Sequence, residues 1–170
     1  MAVYKTRGVI IRSKPFEEAA KLVTVFTNDF GKVFAIAKGA KRPTSKFGGR
    51  LEPFSYLELS LARGRNLDIL SQCETIESFK EVRKDHDRMK SAIYMLKVID
   101  RSTVERQKNE KLFKLLVLSI MKLNAGEDIA RTELYFDVNF LRAEGIYRKD
   151  APPDLLISEH LNEDVRGWKR

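Results

Sequence analysis

Five segments with the composition of β-strands fill the first 80 residues, and this repetition limits the fold more than any other feature of the sequence. Each segment is rich in Val, Ile, Leu, Phe, Tyr and Thr, and Gly, Pro or Asn residues separate it from the next. The segments begin at Val3, Lys21, Lys32, Tyr56 and Asn66. So many short strands in so short a stretch predict a small closed barrel, because closure of the sheet removes its exposed edges.

The spacing of apolar residues changes after Phe79 from the period of a strand to that of an amphipathic helix. The pattern predicts three helices, at residues 80–104, 110–124 and 129–144. The predicted fold class is therefore α+β, with a five-stranded barrel at residues 1–80 and a helical bundle at residues 81–170. A five-stranded Greek-key barrel of this size is the oligonucleotide/oligosaccharide-binding (OB) fold, although strand number alone does not separate it from an SH3-like barrel.

The sequence after Gly145 is less regular, because two consecutive prolines interrupt the helical pattern and most later residues are polar. Scattered apolar residues are sufficient for one short helix, so a docked tail and a disordered tail are both open for residues 148–170. The carboxylates of the predicted helices, Asp137 among them, have the spacing of ordinary surface residues, and we assign no catalytic role to them.

The segment between Phe30 and Leu51 contains six basic residues and no Asp or Glu. The six are Lys32, Lys38, Lys41, Arg42, Lys46 and Arg50. Glycines and a proline exclude a regular helix here, so the sequence predicts a flexible cationic loop between the third and fourth strands. Residues 1–80 hold 14 Lys and Arg against 8 Asp and Glu, whereas residues 81–170 hold 18 against 16. The N-terminal half is therefore expected to face a polyanion such as a nucleic acid.

A second basic turn, Arg63-Gly64-Arg65, lies between the fourth and fifth predicted strands, and the two basic loops are expected to form one track. Phe47, inside the first loop, is the best candidate for stacking on a base. Arg12 and Lys14 either extend this patch or occupy a solvated strand face. The candidate nucleic-acid-binding residues are Lys38, Lys41, Arg42, Lys46, Phe47, Arg50, Arg63 and Arg65.

Motifs for other classes of protein are missing from the sequence. There is no phosphate-binding P-loop, no dinucleotide fingerprint and no metalloprotease or hydrolase signature, so an enzyme is not predicted and no catalytic residue is assigned. One cysteine, Cys73, and two histidines do not make a conventional metal site, and no cofactor is expected. No window has the length of a membrane span and the N-terminus lacks a signal-peptide core, which predicts a cytoplasmic protein.

Specific stretches of the sequence resemble the bacterial RecO family of recombination mediators over about residues 3–145. They are GVIIRSKPFEEAAKLVTVFTNDFGKVFAIAKGAKRP, the following TSKFGG, and LEPFSYLELSLARGRNLDILSQCETIESF. The resemblance implies an OB barrel followed by a helical domain, without metal or nucleotide hydrolysis in annealing. It also implies binding to single- and double-stranded DNA, annealing of complementary strands, and loading of RecA with RecR onto DNA covered by the single-stranded DNA-binding protein. The basic barrel surface of the family maps to the cations of the two loops.

The sequence departs from the family in two respects. Many members have a Cys-x-x-Cys zinc motif soon after the position of Tyr147, but residues 148–170 contain no cysteine, so zinc is not expected. The helical domain is also expected to be shorter than is usual in the family, and the surface that engages the single-stranded DNA-binding protein is expected to be reduced or altered. Two alternatives stay open: a protein-interaction adaptor with secondary nucleic-acid binding, and an RNA-binding barrel.

Overall fold

Five strands close into a barrel, and along much of the third and fourth strands buried side chains alternate with less buried ones. The computed structural model describes all residues from Met1 to Arg170. The strands are β1 (Val3–Phe16), β2 (Ala20–Thr27), β3 (Gly31–Ala37), β4 (Tyr56–Ala62) and β5 (Asp68–Glu77). Their order around the barrel is β1-β2-β3-β5-β4, and only the β3–β5 pair is parallel. This arrangement confirms the predicted five-stranded barrel of the OB type.

The interior of the barrel is filled by small and branched aliphatic side chains. Val23 and Val25 of β2 lie opposite Ala35 and Val33 of β3, and all four are fully buried. Because successive side chains in a strand point to opposite faces, this register places the intervening residues on the outer surface of the barrel.

The residues group into two units that are discontinuous in sequence. A barrel unit comprises Met1–Ser78 and Thr103–Glu110, and a helical unit comprises Phe79–Ser102 and Lys111–Arg170. We call residues 103–110 the connector. Sequence periodicity alone assigns the connector to the helical domain, whereas its contacts in the structure are those of the barrel unit.

The connector runs beside the start of β3. Glu105 forms a parallel β-bridge with Lys32, and the Arg106 backbone N–H donates a 2.9 Å hydrogen bond to the Lys32 carbonyl oxygen. Gly31 has a φ of +67°, and a Cβ atom at this position would lie 2.2 Å from the carbonyl oxygen of Gln107. This close approach of two backbones is therefore possible because residue 31 is a glycine.

The helical unit contains four long or medium helices and two short ones. They are α1 (Lys80–Lys84), α2 (His86–Ser102), α3 (Glu110–Asn124), α4 (Ile129–Ala143), α5 (Pro153–Leu161) and a 3₁₀ helix (Val165–Lys169). The helices predicted at residues 110–124 and 129–144 are found within one residue of their expected ends. No helix of the structure combines the length and the apolar composition needed to cross a bilayer.

The single helix predicted at residues 80–104 is divided into two at Asp85. This residue has an extended backbone, and its carboxylate accepts hydrogen bonds from the backbone N–H groups of Asp87 at 3.0 Å and Arg88 at 3.2 Å. Because an aspartate in this position satisfies free N–H groups at a helix start, it begins α2 instead of continuing α1.

The tail is docked, which decides between the two alternatives left open by the sequence. Pro153 starts α5, where its missing N–H costs nothing, and the Ser158 hydroxyl then accepts a 3.1 Å hydrogen bond from the Val165 backbone N–H. Farther along, Lys169 lies with its Nζ 2.8 Å from Oδ2 of Asp137 in α4. The tail is therefore held by a side chain that reaches into the helical unit.

Asp137 is buried, so the prediction of ordinary surface chemistry for this carboxylate was wrong. Its side chain is 2% exposed and accepts a 2.7 Å hydrogen bond from the Tyr94 hydroxyl in addition to the Lys169 contact. The Lys169 Nζ also lies 3.8 Å from Oδ2 of Asp154 and 4.0 Å from Oε2 of Glu133. We call Lys169 and the three carboxylates near it, those of Glu133, Asp137 and Asp154, the tail clamp.

Candidate nucleic-acid interface

The barrel unit exposes seven of the basic side chains that the sequence singled out. They are Lys38, Lys41, Arg42, Lys46, Arg50, Arg63 and Arg65. Lys32 is different, because it lies within β3 and is only 8% exposed. The cationic surface of the first loop therefore consists of five residues rather than six.

Phe47 does not belong to this surface. The residue is 1% exposed and is part of the barrel core, together with Ala40 and Leu51 of the same loop. Stacking on a base requires an exposed ring face, so the prediction that Phe47 is a stacking residue was wrong. Phe47 instead anchors the loop, and the Nζ of its neighbour Lys46 lies 5.3 Å from the ring centroid.

The backbone of the basic loop forms a series of tight turns. Four hydrogen bonds of 3.0 to 3.2 Å connect N–H groups between Arg42 and Arg50 to carbonyl oxygens three residues earlier. The Lys41 N–H additionally donates a 3.1 Å bond to the Ala19 carbonyl oxygen in the turn between β1 and β2. The loop expected to be flexible is thus ordered, and its first cations lie beside the β1–β2 turn.

The last two cations of the loop lie beside the middle of β5. The Arg50 guanidinium donates to the carbonyl oxygens of Lys46 at 3.2 Å and Cys73 at 3.4 Å. Burial raises the pKa of the Cys73 thiol in spite of these two cations, so this cysteine stays protonated at neutral pH. Cys73 is 7% exposed and belongs to the barrel core.

The second basic turn is separated from the start of the first loop. The Arg63 guanidinium carbon lies 5.5 Å from the ring centroid of Tyr4 and 6.0 Å from that of Phe30, immediately before β3. Lys38 follows the other end of β3, which has seven residues. At about 3.3 Å per residue, roughly 23 Å of strand lies between the two positions. The cations therefore form separate groups along the barrel rather than one compact patch.

An aspartate lies under the second basic turn without cancelling its charge. Asp68 is fully buried, and its Oδ1 accepts a 2.6 Å hydrogen bond from Nη2 of Arg106 and a 3.1 Å bond from the Gly64 backbone N–H. The Tyr4 hydroxyl donates to its other oxygen. Burial opposes ionisation, but these donors outweigh it and lower the pKa of Asp68, whereas burial and the nearby carboxylate raise the pKa of Tyr4 to about 12. Arg106 neutralises this aspartate and leaves the charge of Arg63 available.

The outer face of β1–β3 places Lys14, whose role the sequence left undecided, beside residues of β2. Leu22 lies opposite Ile36, and Thr24 lies opposite Phe34, whose side chain is half-buried. Lys14 of β1 lies opposite Leu22 and is exposed. Phe34 stands between Val33 and Ala35, which are fully buried in the barrel, so it lies on the outer face of β3.

Comparison with known protein families covers both units. Residues 1–79 match the family described as "Recombination protein O N terminal", and residues 83–148 match "Recombination protein O C terminal". The chain belongs to the RecO family. The two matches agree with the resemblance found in the strand and loop sequences.

Several curated RecO relatives are similar over most of this chain. A protein named "DNA repair protein RecO" from Symbiobacterium thermophilum is 41% identical over 120 residues, which is 71% of this chain and 47% of that protein. The protein of the same name from Desulforamulus reducens is 36% identical over 171 residues, covering 99% of this chain and 64% of its own length. The Exiguobacterium relative is 35% identical, over 84% and 57% of the two chains. The chain thus spans about half to two thirds of these relatives.

Proposed function

We propose that this RecO-family chain is a DNA-binding recombination mediator that binds single- and double-stranded DNA and anneals complementary strands. The observation that carries the proposal is the ordered loop from Lys38 to Arg50, which exposes five cations and contains no carboxylate. Cations that contact successive phosphates release condensed counterions, and this favours binding without regard to sequence. A cytoplasmic location at the nucleoid follows from this activity.

Annealing requires that two polyanionic strands approach each other. The groups at Lys38–Arg42, at Lys46 and Arg50, and at Arg63 and Arg65 are held apart on one barrel, so they can contact phosphates of different strand segments. Neutralised phosphates repel each other less, while base edges that the protein does not contact stay free to pair. No nucleotide hydrolysis is needed for this step. In the complete pathway we propose that the chain acts with RecR to help load RecA, a proposal that rests on family membership.

Fluorescence anisotropy of labelled DNA at several salt concentrations tests the DNA-binding proposal. The triple variant Lys41→Glu, Arg42→Glu, Lys46→Glu should bind DNA more weakly than the wild type. The loss of affinity should be the same for unrelated DNA sequences. With about 0.9 counterions released per phosphate contact, loss of three contacts should lower the slope of log affinity against log salt by about 2 to 3. A strand-annealing assay on the same samples, without nucleotide, should show slower annealing for the variant.

A charge-matched control separates local contact from overall charge. The variant Lys84→Glu, Lys149→Glu, Arg170→Glu changes the net charge by the same amount at exposed positions of the helical unit. It should keep the affinity and most of the salt slope of the wild type. Equal losses of DNA affinity in both triple variants would show that the loop is not the binding site. Only a general attraction between the net charge of the protein and DNA would then remain. RNA of the same sequence, measured in parallel, tests the RNA-binding alternative.

A groove in the helical unit supports a second function, that of a protein-interaction adaptor. A cavity of about 400 Å³ lies between α3 and α4, with Leu118 and Tyr135 among its apolar walls and Lys111 and Arg142 among its basic residues. Leu118 is 48% exposed. A groove lined by apolar and basic side chains fits an acidic peptide that carries apolar side chains.

Competition between peptide and DNA tests the adaptor function. A labelled acidic peptide with an apolar end should bind the wild type, and Arg142→Glu should weaken peptide binding while leaving DNA affinity unchanged. The loop triple variant should have the reverse effect. Tight peptide binding with weak DNA binding at about 0.15 M salt, where the Debye length is about 8 Å, would make the adaptor the main function.

A further inference from the structure

We infer that Arg106 of the connector is a positioning residue for DNA binding. It acts through Asp68 and fixes the second basic turn, Arg63-Gly64-Arg65, in the conformation that presents two guanidinium groups to phosphates. This role rests on the proposed DNA-binding function and adds to it a residue from outside the five strands. Arg106 itself does not contact DNA in this role.

The second basic turn is tight, and two of its backbone N–H groups are fixed by hydrogen bonds. The Arg63 N–H donates a 2.8 Å bond to the Ala2 carbonyl oxygen, and the Gly64 N–H donates a 3.1 Å bond to Oδ1 of Asp68. A Cβ atom at residue 64 would lie 1.9 Å from the Leu67 carbonyl oxygen, so this turn requires a glycine. The directions of the two arginine side chains therefore depend on the hydrogen bond to Asp68.

Arg106 keeps Asp68 in the state that binds the turn. Asp68 is fully buried, and Nη2 of Arg106 donates a 2.6 Å hydrogen bond to the same Oδ1 atom that accepts from Gly64. A buried carboxylate without a cation takes up a proton or moves toward solvent, because burial disfavours an unpaired charge. A charged acceptor also forms a stronger hydrogen bond than a neutral one. Arg106 therefore maintains the acceptor that fixes the turn.

The backbone of Arg106 has a conformation that few residues with a side chain adopt. Its φ is +60°, and its N–H donates a 2.9 Å hydrogen bond to the Lys32 carbonyl oxygen. Its Nη1 atom is buried and has no hydrogen-bond partner. A left-handed backbone and an unpaired buried donor both cost stability, and both accompany the placement of the guanidinium against Asp68. Local costs of this kind cluster at functional sites, which agrees with a role beyond packing.

Tyr4 connects the same aspartate to the side chain of Arg63. The Tyr4 hydroxyl donates to the second carboxylate oxygen of Asp68, and the Tyr4 ring lies 5.5 Å from the Arg63 guanidinium carbon. The hydrogen bond fixes the ring, and the ring in turn restricts the exposed guanidinium through a cation–π contact. The N–H groups at the edge of a guanidinium in this position stay available for phosphate oxygens.

The salt dependence of binding to a labelled single-stranded oligonucleotide tests the role of Arg106 in the full chain. The double variant Arg63→Gln, Arg65→Gln should lower the slope of log affinity against log salt by about 2, at about 0.9 counterions per phosphate contact. Arg106→Met should lower this slope by about 1 to 2, although both arginines of the turn remain. Lys108→Met removes the same charge from an exposed position of the connector and should keep the wild-type slope.

A double-mutant cycle separates positioning from direct contact with DNA. In the chain that carries Arg63→Gln and Arg65→Gln, Arg106→Met should change neither the affinity nor the salt slope, since the turn has no cation left to position. A loss that persists in this background would mean that Arg106 contacts phosphate itself, and would overturn the inference. Wild-type affinity and slope for Arg106→Met alone would overturn it as well. Arg106→Lys keeps a cation for Asp68 without the planar fork, so it should recover part of the slope.

Two glycine variants test the conformation of the turn with Arg106 in place, and they remain informative if Arg106→Met unfolds the barrel unit. Gly64→Ala places a Cβ atom against the Leu67 carbonyl oxygen, so it should open the turn and lower the salt slope as Arg106→Met does. Gly49→Ala, in the basic loop, is the matched control, because a Cβ atom there meets nothing within 4 Å. A wild-type slope for Gly64→Ala would show that DNA binding does not depend on the conformation of the turn, and would overturn the inference.

Failure of this role and failure of the proposed function give different results. A wild-type slope for Arg63→Gln, Arg65→Gln, together with weaker binding by the triple variant of the basic loop, would overturn the role of Arg106 and leave DNA binding intact. Failure of the wild type to bind the oligonucleotide at low salt would overturn the proposed function itself.

Discussion

Each unit of the chain buries one aspartate, yet the two aspartates differ in acid–base behaviour. Asp68 of the barrel unit accepts hydrogen bonds from Arg106, Tyr4 and the Gly64 backbone, and its pKa is lowered. Burial dominates at Asp137 of the helical unit and raises its pKa in spite of Lys169 and Tyr94. The difference comes from the supply of donors, because the lysine of the tail clamp also faces two other carboxylates, at 3.8 and 4.0 Å.

Both aspartates bind a segment that is distant in sequence, and the two ion pairs are expected to contribute differently to stability. Asp68 binds the connector through Arg106, and Asp137 binds the tail through Lys169. Removing one partner of a buried ion pair lowers the free energy of unfolding most when the other partner stays charged. Donors lower the pKa of Asp68, whereas burial raises the pKa of Asp137. The connector is therefore expected to depend on its ion pair more than the tail depends on its own.

Loss of Arg106 should have the largest effect. Arg106→Met leaves the fully buried Asp68 without a cation, so the free energy of unfolding of the barrel unit should fall by about 3 kcal/mol. Urea unfolding followed by circular dichroism measures the loss, and amide exchange at β3 locates it. Lys108→Met, an exposed position of the same connector, is the control and should change stability little. Adding Asp68→Asn should restore part of the loss, since the unpaired charge is then gone.

Loss of Lys169 should have a smaller effect of about 1 to 2 kcal/mol, because Asp137 can bind a proton and the tail can separate from the clamp. Trp168 is the only tryptophan and adjoins Lys169, so its fluorescence reports whether the tail is docked. Lys169→Met should lower the urea concentration at which the Trp168 fluorescence changes, whereas Arg170→Met should leave this concentration unchanged. A loss as large as that of Arg106→Met would mean that the two attachments are equivalent.

The pH dependence of stability should have opposite signs at the two aspartates. Since the pKa of Asp68 is lowered from 3.8, its contribution is present above that value and is lost as pH falls through the folded-state pKa. The pKa of Asp137 is raised from 3.8. Its contribution to the free energy of unfolding is therefore fully present at low pH and is lost as pH rises through the folded-state pKa. The raised pKa of Glu133 acts in the same direction as that of Asp137.

Asparagine variants separate the two contributions to the pH dependence of the free energy of unfolding. Asp68→Asn should remove the acid-induced loss in the barrel unit, and Asp137→Asn should remove the loss that accompanies rising pH in the helical unit. Unfolding is measured at pH values from about 3 to 7, with Trp168 fluorescence for the tail and amide exchange for β3. Slopes of the same sign in both units would contradict the comparison.

The contact between Lys97 and Trp168 should contribute least. The Lys97 Nζ lies 5.8 Å from the indole ring, and an exposed cation–π contact contributes about 0.5 kcal/mol. Lys97→Met should therefore lower the stability of the docked tail by this small amount, measured by Trp168 fluorescence in urea. Lys90→Met in the same helix serves as the control. An effect larger than that of Lys169→Met would show that the indole, rather than the tail clamp, holds the tail.

Much of the fold could be predicted because periodicity is a local property. Alternation along β3 and β4, and the three-to-four spacing in α3, depend only on neighbouring residues, and the predicted bounds of α3 agree with the structure. The break at Asp85 is local too, but an aspartate within a helical pattern occurs on many helix surfaces, so the pattern does not distinguish a cap from a surface residue.

The errors concern burial that depends on distant residues. Phe47 is surrounded in sequence by glycines and cations, which indicate exposure, yet it enters a core built from all five strands. Asp137 is buried only because Tyr94 and Lys169, 43 and 32 residues away, supply its donors. The same limit applies to the candidate site: the exposed cations were identified by charge alone, whereas the face beside Phe34 required the strand register.

The anchoring of the basic loop has an entropic consequence. Restricting the backbone of one residue costs about 1 to 2 kcal/mol, and a loop that becomes ordered only with its ligand subtracts this cost from its affinity. Ala40, Phe47 and Leu51 are buried in the barrel core, so the loop is already restricted when the chain folds. The cations between these anchors are preorganised, and a polyanion that meets them need not order the loop.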